Sequence, residues 1–130
     1  MIVVDSSVWI ANLRKQDVPA ARKLREPDVA DAAIVGDIVL TEVLQGARDE
    51  AHAARLEADL RRFPVVAMVG DEMAAKAARH YRRLRSAGFT INKIADLFIG
   101  TFCIEHDHML LHCDDDFDPM EQICGLQCLR

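Results

Sequence analysis

The chain has 130 residues, 51% of them apolar, with 16 lysines and arginines against 21 aspartates and glutamates, a formal charge of −5. This composition predicts one globular domain with a sizeable core, and it excludes a disordered chain or a tandem array. The net charge argues against a general basic surface for nucleic acid, because clustered lysine and arginine normally neutralise backbone phosphates.

The negative charge is concentrated in one part of the chain. Residues 1–88 contain 14 basic and 13 acidic side chains, whereas residues 89–130 contain only Lys93 and Arg130 against eight acids. The acidic excess is therefore local, and the rest of the chain is close to neutral.

Membrane segments and disulfides are not indicated. No apolar run approaches the ~20 residues that span a bilayer, so we expect a cytoplasmic protein. The four cysteines all lie in the last third of the chain and lack a paired metal-site spacing. Free thiols are therefore expected instead of a disulfide framework.

Short apolar strands alternate with helices along the chain. The first strand, 2–4, ends at Asp5, and the following serine pair begins a helix that ends near Leu13. Further strands are predicted at 32–35, 65–69 and 109–111. Further helices are predicted at 20–25, 38–44, 50–62, 71–86 and 93–105, with Pro27 as a stop signal and Asp37 as a cap. The alternation predicts one α/β domain over residues 1–130, with three α/β/α layers around a mostly parallel sheet.

Four carboxylates occupy related positions in this predicted sheet. Asp5 and Asp114 follow strands, whereas Glu42 and Asp96 lie within apolar helices. Because the carboxyl ends of parallel strands meet at one edge of a sheet, we expect these side chains to converge. Two carboxylates about 4 Å apart repel by roughly 4 kcal/mol at an effective dielectric of about 20, so such a cluster must bind protons or a cation.

The residue types in the cluster indicate the chemistry. Oxygen ligands alone suit the hard ions Mg²⁺ and Mn²⁺, and Lys93 is the only basic residue within the local motifs. A divalent ion held by carboxylates can activate a water molecule and neutralise charge on a phosphodiester. The sequence therefore predicts metal-dependent phosphodiester hydrolysis.

Each acid also has a purely structural interpretation. Asp5 can serve as a helix cap, Asp96 suits the first turn of a helix, and the aspartates at 114–116 can form a solvated loop. Two other functions stay open at this point: a non-catalytic receiver-like module, and a module whose acids bind a basic partner. A receiver-like module needs a lysine after a late strand, where this chain has aspartates.

Four segments in chain order resemble the motifs of the PIN-domain family, and in particular its VapC-type ribonuclease toxins. They are IVVDSSVWI at 2–10, TEVLQG at 41–46, IADLFI at 94–99 and LLHCDDDF at 110–117. The resemblance covers nearly the whole chain, and it implies the three-layer fold of that family.

The resemblance also implies a set of site residues. The catalytic residues that it implies are Asp5, Glu42, Asp96 and Asp114. The ligands of Mg²⁺ or Mn²⁺ that it implies are Asp5, Asp96, Asp114 and Asp116, with Ser7 as a polar support. Among the three successive aspartates, we favour Asp114 over Asp115 and Asp116 as the main ligand, because it comes first after the strand.

The resemblance implies a substrate and partners as well. Family members cleave RNA, commonly transfer or ribosomal RNA, form dimers, and are inhibited by a cognate VapB-type antitoxin that lies across the site. Three arginines on the helix at 71–86, Arg79, Arg82 and Arg83, share adjacent turns and are candidates for contacts with RNA phosphates. A solvated helix face is the alternative interpretation of these arginines.

Overall fold

The computed structural model describes residues 1–130, and its centre is a four-stranded sheet. The strands are β1 (Ile2–Val4), β2 (Ala33–Gly36), β3 (Val65–Val66) and β4 (Met109–Leu111). Their order across the sheet is β3-β2-β1-β4, and every neighbouring pair is parallel. The predicted α/β fold is therefore confirmed, with a sheet that is entirely parallel.

Eight helices cover the two faces of this sheet. They are α1 (Ser6–Leu13), α2 (Pro19–Leu24), α3 (Pro27–Ala32), α4 (Asp37–Leu44), α5 (Glu50–Leu60), α6 (Asp71–Ser86), α7 (Ile94–His106) and α8 (Asp118–Cys124). Helix α1 packs against α2 and α4, α2 packs against α3, and α4 packs against α5, while α6 packs against both α7 and α8. A 3₁₀ turn, Asp115–Phe117, precedes α8.

Two helices of the structure were not predicted. Pro27 was expected to stop a helix, and α2 does end before it, but Pro27 is also the first residue of α3. A residue that precedes proline is pushed into the extended region, and Glu26 (φ −64°, ψ 131°) takes that conformation as the N-cap of the new helix. Helix α8 was not predicted at all, although Gly125 (φ 79°) ends it in the left-handed conformation that favours glycine.

Strand β3 is shorter than the five residues predicted. Asp37 was expected to cap α4, but Gly36 holds the N-cap position. The Oδ1 of Asp37 accepts the backbone N–H of Ile38, in the first turn of α4, at 2.9 Å, and it also accepts the backbone N–H of Met68 at 3.0 Å. The contact with Met68 directs residues beyond Val66 away from the strand ladder, and Val69 is left 51% exposed.

The core lies on both sides of the sheet and includes the anchor of the acidic loop. Val3, Val4 and Phe117 are completely buried. Trp9, the only tryptophan, is buried and donates its indole N–H to the carbonyl oxygen of Val4 at 3.0 Å. All four cysteines are free, as expected, and none of the helices combines the length and the apolarity needed to cross a bilayer.

Phe117 is expected to hold the loop that follows β4 in place. Replacing a fully buried phenylalanine by alanine removes packing and leaves a cavity, so Phe117→Ala should lower the free energy of unfolding by about 3–5 kcal/mol. Urea unfolding followed by the fluorescence of Trp9 measures this loss. The control Val69→Ala removes an exposed side chain and should change stability by no more than about 0.5 kcal/mol. Equal stabilities of the two variants would contradict this role of Phe117.

Candidate metal centre

The structure brings together the four carboxylates that the sequence singles out. Asp5 follows β1 and Asp114 lies three residues after β4, so both stand at the carboxyl edge of the parallel sheet. Glu42 on α4 and Asp96 in the first turn of α7 point to the same edge. Their negative charges repel one another: the charge of Asp114 raises the pKa of Asp5, Glu42 and Asp96, and the charge of Asp5 raises the pKa of Glu42 and Asp96.

Asp5 is the most firmly held of the four. It is 2% exposed and caps the N-terminus of α1. Its Oδ2 accepts hydrogen bonds from the backbone N–H of Ser7 at 3.1 Å and from the Ser7 hydroxyl at 2.5 Å. Its Oδ1 is buried without a partner. Burial raises the pKa of Asp5, and the hydrogen bonds from Ser7 oppose that rise.

Asp96 and Glu42 each place a carboxylate oxygen in the same buried region. Asp96 is 3% exposed, and burial, followed by the charges of Asp5 and Asp114, raises its pKa to about 7. Glu42 is half-buried, and burial, followed by the charge of Asp5, raises its pKa as well. Asp96 Oδ2 and Glu42 Oε1 both lack a hydrogen-bond partner. In the ion-free protein, Asp96 therefore exchanges its proton near neutral pH.

The three successive aspartates at 114–116 have different surroundings in the structure. One oxygen each of Asp96, Asp114 and Asp116 lies within 4.8 Å of the other two. The side chain of Asp114 is 26% exposed, and it accepts the backbone N–H of Asp116 at 3.0 Å. Asp115 is exposed and lies outside this group. Asp114 and Asp116 thus lie beside Asp96 and Asp115 does not, while their roles as ligands stay predictions.

Lys93 is a member of the site to which the sequence interpretation gave no role. Its Nζ lies 3.7 Å from Asp114 Oδ2 and 3.9 Å from Asp116 Oδ2. The charge of Asp114, and then that of Asp96, raises the pKa of Lys93. The sequence feature that could have identified Lys93 was its position, directly before α7 and three residues before Asp96. Lys93 supplies positive charge at the place where a cation would also lie.

The donor set fits a hard divalent cation. Asp5, Glu42 and Asp96 each leave one buried carboxylate oxygen without a hydrogen-bond partner. Unpartnered buried acceptors are unfavourable unless water or an ion satisfies them. All of these donors are carboxylate oxygens, the ligands that Mg²⁺ and Mn²⁺ prefer. Asp96, Asp114 and Asp116 are close enough to share one ion.

The arginines predicted to contact RNA lie on the surface of α6. Arg79, Arg82 and Arg83 are exposed and form no ion pair. Arg82 lines an apolar groove of about 500 Å³ with Ile94, whereas the charge of Arg83 acts on Cys124 of α8. Contact of these arginines with RNA stays a prediction.

Known proteins resemble this chain over nearly all of its length. The VapC ribonuclease Mb1587 of Mycobacterium bovis is 34% identical over 131 residues, which cover 98% of this chain and 96% of that protein. Ribonuclease VapC51 of Mycobacterium tuberculosis is 29% identical over 133 residues, covering 97% of this chain and 89% of that protein.

Solved structures share the fold at lower identity. VapBC2 from Rickettsia felis, bound to a DNA fragment from its promoter, matches with a TM-score of 0.78 and 18% identity, covering 99% of this chain and 98% of that chain. FitAcB from Neisseria gonorrhoeae matches with a TM-score of 0.76 and 16% identity, covering 100% and 97% of the two chains.

The family assignment rests on agreement between the sequence and these matches. The PIN-domain profile matches residues 2–122, a range that contains all four converging carboxylates. All four segments that resemble the motifs of the family also lie within this range. The chain therefore belongs to the PIN-domain family, among its VapC-type members.

Proposed function

We propose that this chain is a Mg²⁺- or Mn²⁺-dependent endoribonuclease, and that it is the toxin of a toxin–antitoxin pair, inhibited by a VapB-type antitoxin. The observation that carries the proposal is the convergence of buried, unpartnered carboxylate oxygens from Asp5, Glu42 and Asp96 beside the Asp114 loop. Such a cluster is unfavourable unless it binds protons or a cation. A nuclease centre gives the cluster that cation.

The similar proteins support the same activity and partner. The relatives are named VapC ribonucleases. The structural neighbours are described as VapBC or FitAB assemblies, and one is a toxin–antitoxin complex from Klebsiella pneumoniae. These descriptions favour a nuclease over the receiver-like module and the acidic binding module that the sequence left open.

Four carboxylates would hold the ion: Asp5, Asp96, Asp114 and Asp116. When bound, a divalent ion of this kind lowers the pKa of a water molecule and neutralises charge on the phosphodiester that the water attacks. Asp96, Asp114 and Asp116 already lie within 4.8 Å of one another through their oxygens. Asp5, at the end of the neighbouring strand β1, would complete the set through the oxygen that Ser7 leaves free.

The side chains of the site also have separate tasks. Ser7 orients Asp5 by donating both its backbone N–H and its hydroxyl to one carboxylate oxygen. Glu42 keeps an unpartnered oxygen in the site and can accept a proton from the attacking water. Lys93 places a cation beside Asp114, where it can stabilise phosphate charge. Together these groups would bind the ion, orient its ligands and accept the proton of the attacking water.

The finer parts of the proposal are the target and the assembly. Transfer or ribosomal RNA as the substrate, a homodimer, and a cytoplasmic location are implied by the family resemblance, and they stay predictions. The exposed apolar Ile94, 72% accessible at the edge of the α6–α7 groove, supports the presence of a contact surface there.

The purified protein should cut RNA in Mg²⁺ or Mn²⁺ and stop in EDTA. Asp5→Asn and Asp96→Asn should each lower the cleavage rate by about 100-fold or more, the range expected when a group that stabilises charge in the transition state is lost. Asparagine keeps the size of aspartate and its ability to cap α1, so the fold should survive. Gel analysis of a labelled RNA measures the rates.

The matched control for these variants is Asp115→Asn. Asp115 lies on the same loop as Asp114, but it is exposed and outside the carboxylate group. This variant should keep close to the full cleavage rate. Metal-dependent cleavage that survives in both Asp5→Asn and Asp96→Asn would show that the site assignment is wrong.

The ion-free protein should lose stability as the pH rises through neutrality. Burial raises the pKa of Asp96 from 3.8 to about 7, so between these values the folded chain keeps a proton that the unfolded chain releases. Stability from this proton is present at low pH and is lost as the pH passes the folded pKa, by at most about 4 kcal/mol at about 1.4 kcal/mol per pKa unit. Thermal unfolding in EDTA between about pH 5 and about pH 8 measures the loss.

Asp96→Asn provides the comparison in that experiment. Its unfolding temperature should fall less over the same pH range, because asparagine does not titrate. At the upper pH, Mg²⁺ should raise the unfolding temperature of the unsubstituted protein more than that of the variant, because the ion binds the folded state. Parallel pH profiles of the two proteins in EDTA would contradict the raised pKa.

A further inference from the structure

We propose that Arg14, Arg48 and Arg55 line a cleft beside Glu42 that binds the phosphates of an RNA strand next to the bond that is cut. We call this surface the Arg cleft. The inference rests on the proposed nuclease function, since it assigns the path of the substrate into that site. It places RNA contacts on a different part of the molecule from α6.

The Arg cleft joins three separate segments of the chain to the carboxylate site. Arg14 is the C-cap of α1, Arg48 lies between α4 and α5, and Arg55 is on α5. Together with Glu42 they line one cavity of about 580 Å³, within the range of about 300–1,000 Å³ that is usual for ligand pockets. A strand whose cleaved phosphate reaches Glu42 would therefore place neighbouring phosphates against these guanidinium groups.

The three arginines have no carboxylate partner within the protein. None of them forms an ion pair, although the chain carries an excess of acids. Arg61, on the same helix as Arg55, pairs with Glu57 at 2.7 Å. Asp49, the acid next to Arg48, caps α5 by accepting the backbone N–H of His52 at 2.8 Å. This hydrogen bond, and then the charges of Arg48 and Arg55, lower the pKa of Asp49, but neither arginine forms an ion pair with it. Guanidinium groups that converge without a partner are suited to an external anion, and phosphate matches their planar geometry.

His52 adds a donor to the same cleft. Its Nδ1 accepts the backbone N–H of Arg48 at 3.0 Å. A neutral imidazole whose Nδ1 accepts carries its proton on Nε2, so this nitrogen is a donor. The cleft thus offers three guanidinium groups and one imidazole N–H to a ligand rich in acceptor oxygens. Two acids, Glu42 and Asp59, also line it, so its cationic side chains outnumber its carboxylates.

The cavity on the other side of the carboxylates has the opposite character. It measures about 750 Å³, and Asp114, Asp115 and Asp118 are among its lining residues. The two basic side chains that line it already form ion pairs within the protein: Lys23 pairs with Glu26 at 3.6 Å, and Arg130 pairs with Glu121 at 2.8 Å. Phosphates flanking the cut bond are therefore better accommodated on the Glu42 side.

The test measures RNA binding separately from cleavage. Fluorescence anisotropy of a labelled single-stranded RNA in EDTA gives Kd at several salt concentrations, and EDTA keeps the RNA intact. The triple variant Arg14→Gln/Arg48→Gln/Arg55→Gln should bind about tenfold more weakly or worse at low salt, with a salt slope smaller by about 2, because each lost contact with a single strand removes about 0.7 from that slope. A DNA strand of the same sequence should show the same loss, since phosphates are the groups contacted.

The matched control removes three arginines elsewhere on the surface. Arg22→Gln/Arg61→Gln/Arg85→Gln makes the same change of charge outside the cleft, so its Kd and salt slope should stay close to those of the unsubstituted protein. Circular dichroism and the unfolding midpoint verify that both variants are folded. In Mg²⁺, the Arg-cleft variant should raise KM for RNA cleavage and leave kcat nearly unchanged, as expected when ground state and transition state lose the same contact.

The outcomes separate this inference from the proposed function. An unchanged Kd and salt slope in the Arg-cleft variant would overturn the cleft, while cleavage by the unsubstituted protein would still support a nuclease. A larger loss of RNA affinity in the variant Arg79→Gln/Arg82→Gln/Arg83→Gln would also overturn the cleft, and it would favour the α6 surface. A loss of affinity for RNA without a loss for DNA would overturn the assignment of phosphates as the groups that are contacted. If the cleft binds RNA and the unsubstituted protein never cuts it, the cleft stands and the nuclease is wrong.

Discussion

Repulsion among buried carboxylates is the constraint on which this structure depends. Two such groups about 4 Å apart repel by roughly 4 kcal/mol at an effective dielectric of about 20, and desolvation adds to that energy. Three of the carboxylates at the sheet edge also leave a buried oxygen without a partner. The chain can keep them together only because the parallel sheet fixes the ends of β1 and β4 side by side, in register from Ile2 with Met109 to Val4 with Leu111. The rigid core therefore stabilises an arrangement that the site residues alone would avoid.

The net charge of −5 acquires a different meaning once the acids are located. The excess lies after residue 88, where Asp96 and the loop after β4 are found. Under the proposed function, a divalent ion would offset part of that charge at the point where RNA approaches, and the basic residues of the earlier segments would face the phosphates. An acidic protein can therefore be suited to RNA, provided that its acids are gathered at the ion and its arginines are gathered beside it.

The sequence predicted those features that depend on neighbouring residues. An apolar run followed by an aspartate located Asp5, and an acid within an apolar helix located Asp96. The end of β3 was not predictable in this way, because it depends on the side chain of Asp37 reaching Met68, 31 residues along the chain. Helix α3 was missed because a proline that ends one helix gives no local sign that it begins another. The Arg cleft was missed because its arginines come from three segments that only the fold brings together.

One hydroxyl group connects Asp5 to the loop that carries Asp114. Ser7 Oγ donates to Asp5 at 2.5 Å and accepts the backbone N–H of Cys113 at 3.3 Å. A serine hydroxyl can do both at once, since it has one proton and two lone pairs. Cys113 directly precedes Asp114, so the hydroxyl ties the end of β1 to the loop after β4. The spacing of Asp5 and Asp114 therefore depends on the hydroxyl of Ser7, and in the proposed metal centre this spacing would limit the size of the ion.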